Sequence, residues 1–175
     1  MRTPTSTNRL AIFAYGSLLF RPGFSYLDRV RAIAHGRARS FSQASPDHRG
    51  TPDLPGRVLT LVDAPGAATV GAVYLVEPPA AELLAELDHR ERAGYRRITL
   101  EVETTEGTLS AVTWIAEPGN EHHVDPLPLA ELARLIRTAT GPSGRNDEYV
   151  LKVAGALDEL EADDPMISAL AALLR

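Results

Sequence analysis

The chain has 175 residues, 18 Lys and Arg against 23 Asp and Glu for a net charge of −5, and 44% apolar residues. That is enough chain for one domain with a sizeable core, and too apolar for a disordered one. The acidic balance argues against a nucleic-acid partner, and the absence of cysteine excludes disulfides, thiolate catalysis and cysteine-based zinc sites.

In chain order, Met1–Arg9 is polar and Thr-rich, with no apolar core of a signal peptide. We read residues 1–9 as a flexible tail and 10–175 as one domain. No apolar run approaches the roughly 18 residues of a membrane span, so a cytoplasmic protein with no membrane partner is expected. Leu10–Tyr15 is the first strand, broken at Gly16-Ser17. Arg21-Pro22-Gly23 is a turn. Val30–Gln43 alternates loosely and predicts one or two strands interrupted at Gly36. Ser45–Gly56 is a loop, long enough to carry function. Arg57–Val62 is a short strand, Ala64-Pro65-Gly66 a turn, and Thr69–Val76 the next strand.

Leu83, Leu84 and Leu87 form the apolar stripe of a first helix, which should stop near Arg90–Gly94 with Gly94 as a C-terminal cap. Arg96–Glu103 and Leu109–Ile115 predict a hairpin around Thr105-Glu106-Gly107. Helices follow over Leu129–Ala139, Asp147–Leu160 and Met166–Leu174, the last with Asp164 as N-cap and Pro165 at its first position. The loop Gly141–Asn146 is glycine-rich but lacks the Gly-Lys-Ser/Thr of a phosphate loop; it shapes a helix start. Strands, one helix, more strands and then helices make an α+β chain.

Four blocks carry a resemblance. They are Tyr15-Gly16-Ser17-Leu18; Gln43–Gly50 with Pro55-Gly56-Arg57-Val58; Leu87–Tyr95, which includes Arg90-Glu91-Arg92; and Gly141–Asn146. In this order and spacing they resemble the ChaC-like γ-glutamylcyclotransferases. The resemblance implies a small, mostly closed mixed β-barrel flanked by helices. It also implies cleavage of a γ-glutamyl amide, glutathione first, into 5-oxoproline and a released amine. Two positions depart from the family pattern: His89 stands where an aromatic is commoner, and Phe20 where tryptophan is commoner.

That chemistry sets clear demands. The substrate's own α-amine attacks the γ-carbonyl, so the enzyme must fold the substrate into the attacking conformer. A base must take one proton and pass one to the leaving amine, and donors must meet the oxyanion. No protein nucleophile, metal or organic cofactor is called for. Read alone, Glu91 is a solvated charge in an Arg-Glu-Arg run; the resemblance implies that it is the general acid/base. A helix C-terminus and burial would both raise its proton affinity, with Arg90 and Arg92 opposing if turned inward.

Tyr15, Gly16, Ser17 and Leu18 are the candidate cradle for the γ-glutamyl group. Arg49 either pairs with a substrate carboxylate or braces its loop. Tyr149, in a region where the resemblance places a substrate-contacting tyrosine, either does so or packs on the barrel. Glu82 in a first helical turn is explained by the helix dipole. Ser17 lacks the G-x-S-x-G elbow of a serine hydrolase, and the neighbours Asp47 and His48 are poorly placed to face each other as triad members. Adjacent His122-His123 lack the spacing of a helical metal pair. Substrates other than glutathione, and a non-catalytic binding module on the same scaffold, stay open as alternatives.

Overall fold

The first strand, β1 (Leu10–Ala14), is apolar on both faces because both are covered: Ile12 and Phe13 are wholly buried. A computed structural model describes residues 8–175, so the expected tail falls, over residues 1–7, outside the described residues. β1 lies antiparallel to β3 (Gly56–Val76), from Leu10–Val76 to Ala14–Ala72, and parallel to β5 (Gly107–Ala116) through Ile12–Val112. β2 (Asp28–Ser45) pairs antiparallel with β3 and meets β4 (Tyr95–Thr104) at Ile33–Glu103. The order β1-β3-β2-β4-β5 closes into a mixed barrel. Closure leaves the barrel itself no free edge among the described residues.

Two expected interruptions become irregularities within continuous strands. Gly36, at φ +75°, sits where the register jumps from His35–Ala68 to Arg37–Asp63. The predicted turn at Ala64-Pro65-Gly66 falls in the same jump, so β3 bulges there and resumes. Long-range pairing with β2 on either side overrides the local turn signal. The hairpin β4–β5 keeps its predicted turn, with Thr104 Oγ1 donating to Gly107 O at 2.9 Å.

The helices α1 (Ala81–Arg90), α2 (Leu129–Thr138), α3 (Asn146–Glu159) and α4 (Pro165–Leu174) follow the predicted stripes. Ile136, Val150, Val153, Ile167 and Leu170 are at most 1% exposed. Asp164 caps α4, its Oδ1 accepting the Ile167 N–H at 3.2 Å, with Pro165 following. The loop before α3 is more ordered than predicted: β6 (Thr140–Gly141) and β7 (Gly144–Arg145) form a small ribbon. Gly94 does not cap α1. Glu91 already ends that helix, and Gly94, at φ +91°, turns the chain into β4 against Asn120. His122 joins β2 through its backbone, the His122 carbonyl accepting from Ala44 N–H at 2.8 Å, and its ring Nε2 lies 3.5 Å from Glu121 Oε1. The result is a single α+β domain. Among the described residues no helix is long and apolar enough to cross a membrane.

Candidate active site

Strand directions decide where the motifs meet. β1, β2 and β5 finish at the same end of the barrel where β3 and β4 begin. The segments leaving or entering there are Tyr15–Phe20, Ser45–Arg49, Val58-Leu59, Ala93–Tyr95 and Thr113-Trp114. Together with α3 they line a cavity of about 440 Å³. Every predicted site residue opens onto it: Tyr15, Gly16, Ser17, Leu18, Arg49, Glu91 and Tyr149.

Glu91 follows the last residue of α1, its N–H donating to Leu87 O at 3.0 Å. Its side chain is 19% exposed, and burial raises its pKa above the ordinary carboxylate value. The Arg90 guanidinium, 3.9 Å away, works against this, but its Nη1 and Nη2 are held at 3.2 Å by the carbonyls of Pro22 and Arg21. His48 also lowers the Glu91 pKa and Asp47 raises it. Arg92 turns away, with Nη1 at 2.8 Å from His89 Nε2. The result is a shielded carboxylate with raised proton affinity.

α1 is anchored so that Glu91 stays at the wall. Trp114 Nε1 donates to Asp88 Oδ1 at 2.8 Å, and Arg97 reaches the same carboxylate at 3.4 Å. Asp88→Ala removes the indole's acceptor, so it is expected to lower the free energy of unfolding by about 1–2 kcal/mol. Denaturant titration reads this, and a variant as stable as wild type would contradict the anchor.

The turn after β1 lines the same cavity as Glu91. Ser17–Leu19 form one 3₁₀ turn entered through Gly16, closed by Leu19 N–H to Gly16 O at 3.0 Å. The first N–H groups of such a turn have no partner within it, so the Tyr15–Leu18 segment offers donors at the cavity wall. Gly16 allows a close approach: a Cβ there would meet the Tyr149 hydroxyl at 3.1 Å, so the phenol would have to give way by a few tenths of an ångström.

Three tyrosines form the floor. The Tyr15 hydroxyl donates to Trp114 O and the Tyr95 hydroxyl to Leu59 O, each at 2.6 Å, whereas Tyr149 Oη accepts the Leu59 N–H at 3.1 Å. Burial raises all three pKa values, and the Glu91 charge adds to each. All three are therefore neutral, and Tyr149 retains its proton for a partner in the cavity.

Arg49, 5% exposed, donates from Nη1 to Arg145 O at 3.0 Å and lies 5.6 Å over the Tyr149 ring. It thus braces its loop against α3 while also lining the cavity, so the two sequence readings are compatible. Tyr149 likewise both packs and lines. Phe20 meets Tyr149 edge-on at 6.0 Å, which gives the ring at this position a packing role. Glu82 is exposed on α1. Among the described residues no histidine is hydrogen-bonded to Ser17. His48 Nδ1 lies 3.1 Å from Ser143 Oγ instead, with Asp47 Oδ2 at 3.7 Å from His48 Nε2.

Sequence reasoning missed Tyr95, Trp114 and Ser143 as cavity residues. Tyr95 closes the Glu91 motif and Ser143 lies in the Gly141–Asn146 block, so both had a readable signal. Trp114 lies in an ordinary strand pattern, and its place depends on barrel closure.

A family profile described as ChaC-like protein matches residues 10–175. The chain is 35% identical over 173 residues to gamma-glutamylcyclotransferase 2-1 of Arabidopsis thaliana, covering 93% of this chain and 80% of that protein. It is 31% identical to the glutathione-specific gamma-glutamylcyclotransferase of Saccharomyces cerevisiae, covering 85% of each. A crystal structure of a yeast γ-glutamyl cyclotransferase specific to glutathione superposes with a TM-score of 0.87 at 30% identity, covering 95% of each chain.

Proposed function

The chain belongs to the ChaC-like family, and from that premise we propose that it is a γ-glutamylcyclotransferase, a lyase that converts glutathione to 5-oxoproline and Cys-Gly in a cytoplasmic setting. The observation that carries the chemistry is the shielded carboxylate of Glu91 on the same cavity as the Tyr15–Leu18 donors. Relatives named as glutathione-specific support the substrate.

The steps balance without a protein nucleophile. The neutral α-amine attacks the γ-carbonyl carbon; the new C–N bond closes a five-membered ring and the carbonyl electrons move to oxygen. Glu91 carboxylate takes the proton that the amine nitrogen sheds. Backbone N–H groups of the Gly16–Leu18 segment receive the oxyanion, with the Tyr149 hydroxyl close to Gly16 as a further donor. The tetrahedral centre then collapses, the C–N bond to the leaving amine breaks, and Glu91 returns its proton to that nitrogen. Arg49 presents positive charge to the substrate α-carboxylate. Burial of Glu91 and the tyrosines in the cavity wall lowers the local dielectric and strengthens these interactions.

The test is purified protein with reduced glutathione, read by mass spectrometry for 5-oxoproline and Cys-Gly. Appearance of both products in equal amounts is expected. Inertness toward glutathione with turnover of another γ-glutamyl amine or peptide would move the substrate and keep the chemistry. Inertness toward all of them would favour a binding module and defeat the proposal. The pH dependence gives a second check. The base must be deprotonated in the free enzyme, so the acid limb of kcat/KM should lie above the ordinary carboxylate value. Arg90 depresses the Glu91 pKa, so Arg90→Gln should move that limb to higher pH; a limb that stays put would remove Glu91 as its source.

A further inference from the structure

Arg39 is a buried cation that the reaction scheme above does not use. It lies on β2 opposite Leu61 and is 7% exposed. Its guanidinium spends its donors on three separate elements. Nε donates to Tyr15 O at 2.8 Å, just past the end of β1. Nη2 donates to Val70 O of β3 at 2.6 Å. Nη1 donates to Asp164 Oδ2, the N-cap of α4, at 3.0 Å. The other oxygen of that carboxylate accepts from Ile167 N–H, and the Asp164 carbonyl accepts from Ser168 N–H at 2.9 Å. One carboxylate therefore starts α4 and holds Arg39.

A buried ion pair is a weak device for stability, because an apolar replacement of similar volume often does as well. What this pair does have is an address. The Tyr15 carbonyl and the Gly16 N–H belong to one planar trans peptide and point in opposite directions. A cation that grips the carbonyl on one side of that peptide thereby turns the Gly16 N–H to the other side, and Gly16 forms the cavity wall. Charge on the carbonyl side also polarises the peptide, which strengthens the N–H as a donor.

We propose that Arg39, backed by Asp164, is a positioning residue that orients and polarises the Tyr15–Gly16 peptide as a donor to the oxyanion. The proposal rests on the cyclotransferase reading of the site. It makes the C-terminal helix part of the catalytic apparatus although no residue of α4 reaches the cavity. Burial lowers the Arg39 pKa and Asp164 opposes the fall, consistent with a cation that needs its partner.

The experiment compares wild type, Arg39→Lys, Arg39→Met and Asp164→Asn well below their unfolding midpoints. It reads kcat and KM with glutathione and the Gly16 amide resonance by ¹⁵N-edited NMR. For Arg39→Met, kcat should fall about 10–100-fold, up to the loss of a single oxyanion donor, with KM within about threefold. Arg39→Lys should lie between it and wild type, because a compact ammonium cannot span the three acceptors that the planar guanidinium reaches from three separate nitrogens. Asp164→Asn keeps an acceptor for the Ile167 N–H, so it carries the test if Arg39→Met does not fold; its kcat should fall several-fold. The Gly16 amide proton should move upfield in each variant.

A kcat that stays at the wild-type value while only the midpoint drops would overturn the proposal, as would a KM effect alone. A Gly16 resonance that does not move would also overturn it, whatever the activity. Wild type inert toward γ-glutamyl compounds would defeat the cyclotransferase reading separately, since the resonance is read without turnover.

Discussion

Glu91→Gln is expected to abolish turnover, with kcat down at least about 10²-fold, the lower range for an acid/base residue, and KM little changed. The two side chains are nearly isosteric, so the variant should fold and the cavity should keep its shape. What is lost is the proton acceptor that accompanies ring closure and the donor that accompanies amine release. Steady-state kinetics with product detection reads this.

A stability measurement makes the prediction sharper. Burial raises the Glu91 pKa, so the fold favours the protonated carboxyl over the charged one. The stability associated with the neutral form is fully present below the unfolded carboxylate pKa and is lost as pH rises through the raised folded value. Glu91→Gln mimics the neutral form. It should therefore be more stable than wild type at neutral pH, and the difference should vanish in acid. A variant that is both inactive and more stable is what a functional, ill-housed carboxylate predicts. A variant that retains wild-type kcat sinks the mechanism, whatever its stability.

Asn146→Ala is the second large effect, and it acts on the fold. Asn146 is completely buried at the first position of α3. Its Oδ1 accepts the Arg57 N–H at 2.8 Å and its Nδ2 donates to Arg57 O at 2.9 Å. One side chain thus stands in for a neighbouring strand at the start of β3. Gly56 permits this, since a Cβ there would come within 2.7 Å of Asn146 Oδ1. Alanine leaves a buried N–H and a buried carbonyl unpaired, at about 1–3 kcal/mol each. A total of about 3 kcal/mol should lower the unfolding midpoint by roughly 6–12 °C for a chain of this size. Calorimetry checks the midpoint and denaturant titration the free energy. Tyr149 follows one turn later on the same helix, so kcat measured below the midpoint should also fall. Wild-type stability in the variant would mean that Arg57 finds other partners and that the clamp is not what joins α3 to the barrel.

Local rules carried much of the chain. The apolar run of β1, the Leu83-Leu84-Leu87 stripe, the β4–β5 turn and the Asp164-Pro165 cap were all legible, because each depends on residues within one turn or strand. The Tyr15–Leu18 and Glu91 motifs were legible through their resemblance to a family, and not through their own physics. An Arg-Glu-Arg run looks solvated until something covers it. The strand breaks at Gly36 and Ala64–Gly66 misled, because ladder pairing between β2 and β3 resumes across them.

What the sequence by itself determined was the helix stripes and caps, the hairpin, the α+β order and the set of candidate residues. The tertiary structure alone decided that these residues share a cavity. Closure depends on β1 meeting both β3 and β5, pairings such as Ile12–Tyr74 and Ile12–Val112 that no window of sequence contains. It also decided the proton affinity of the site: burial raises the Glu91 pKa against the opposing Arg90, whose guanidinium is tied to two carbonyls, while Arg92 turns outward. Arg39 was one arginine among eighteen basic residues until the fold set its guanidinium behind the Tyr15 peptide. Periodicity and capping are local energies, whereas burial and direction belong to whatever packs against a residue from elsewhere in the chain.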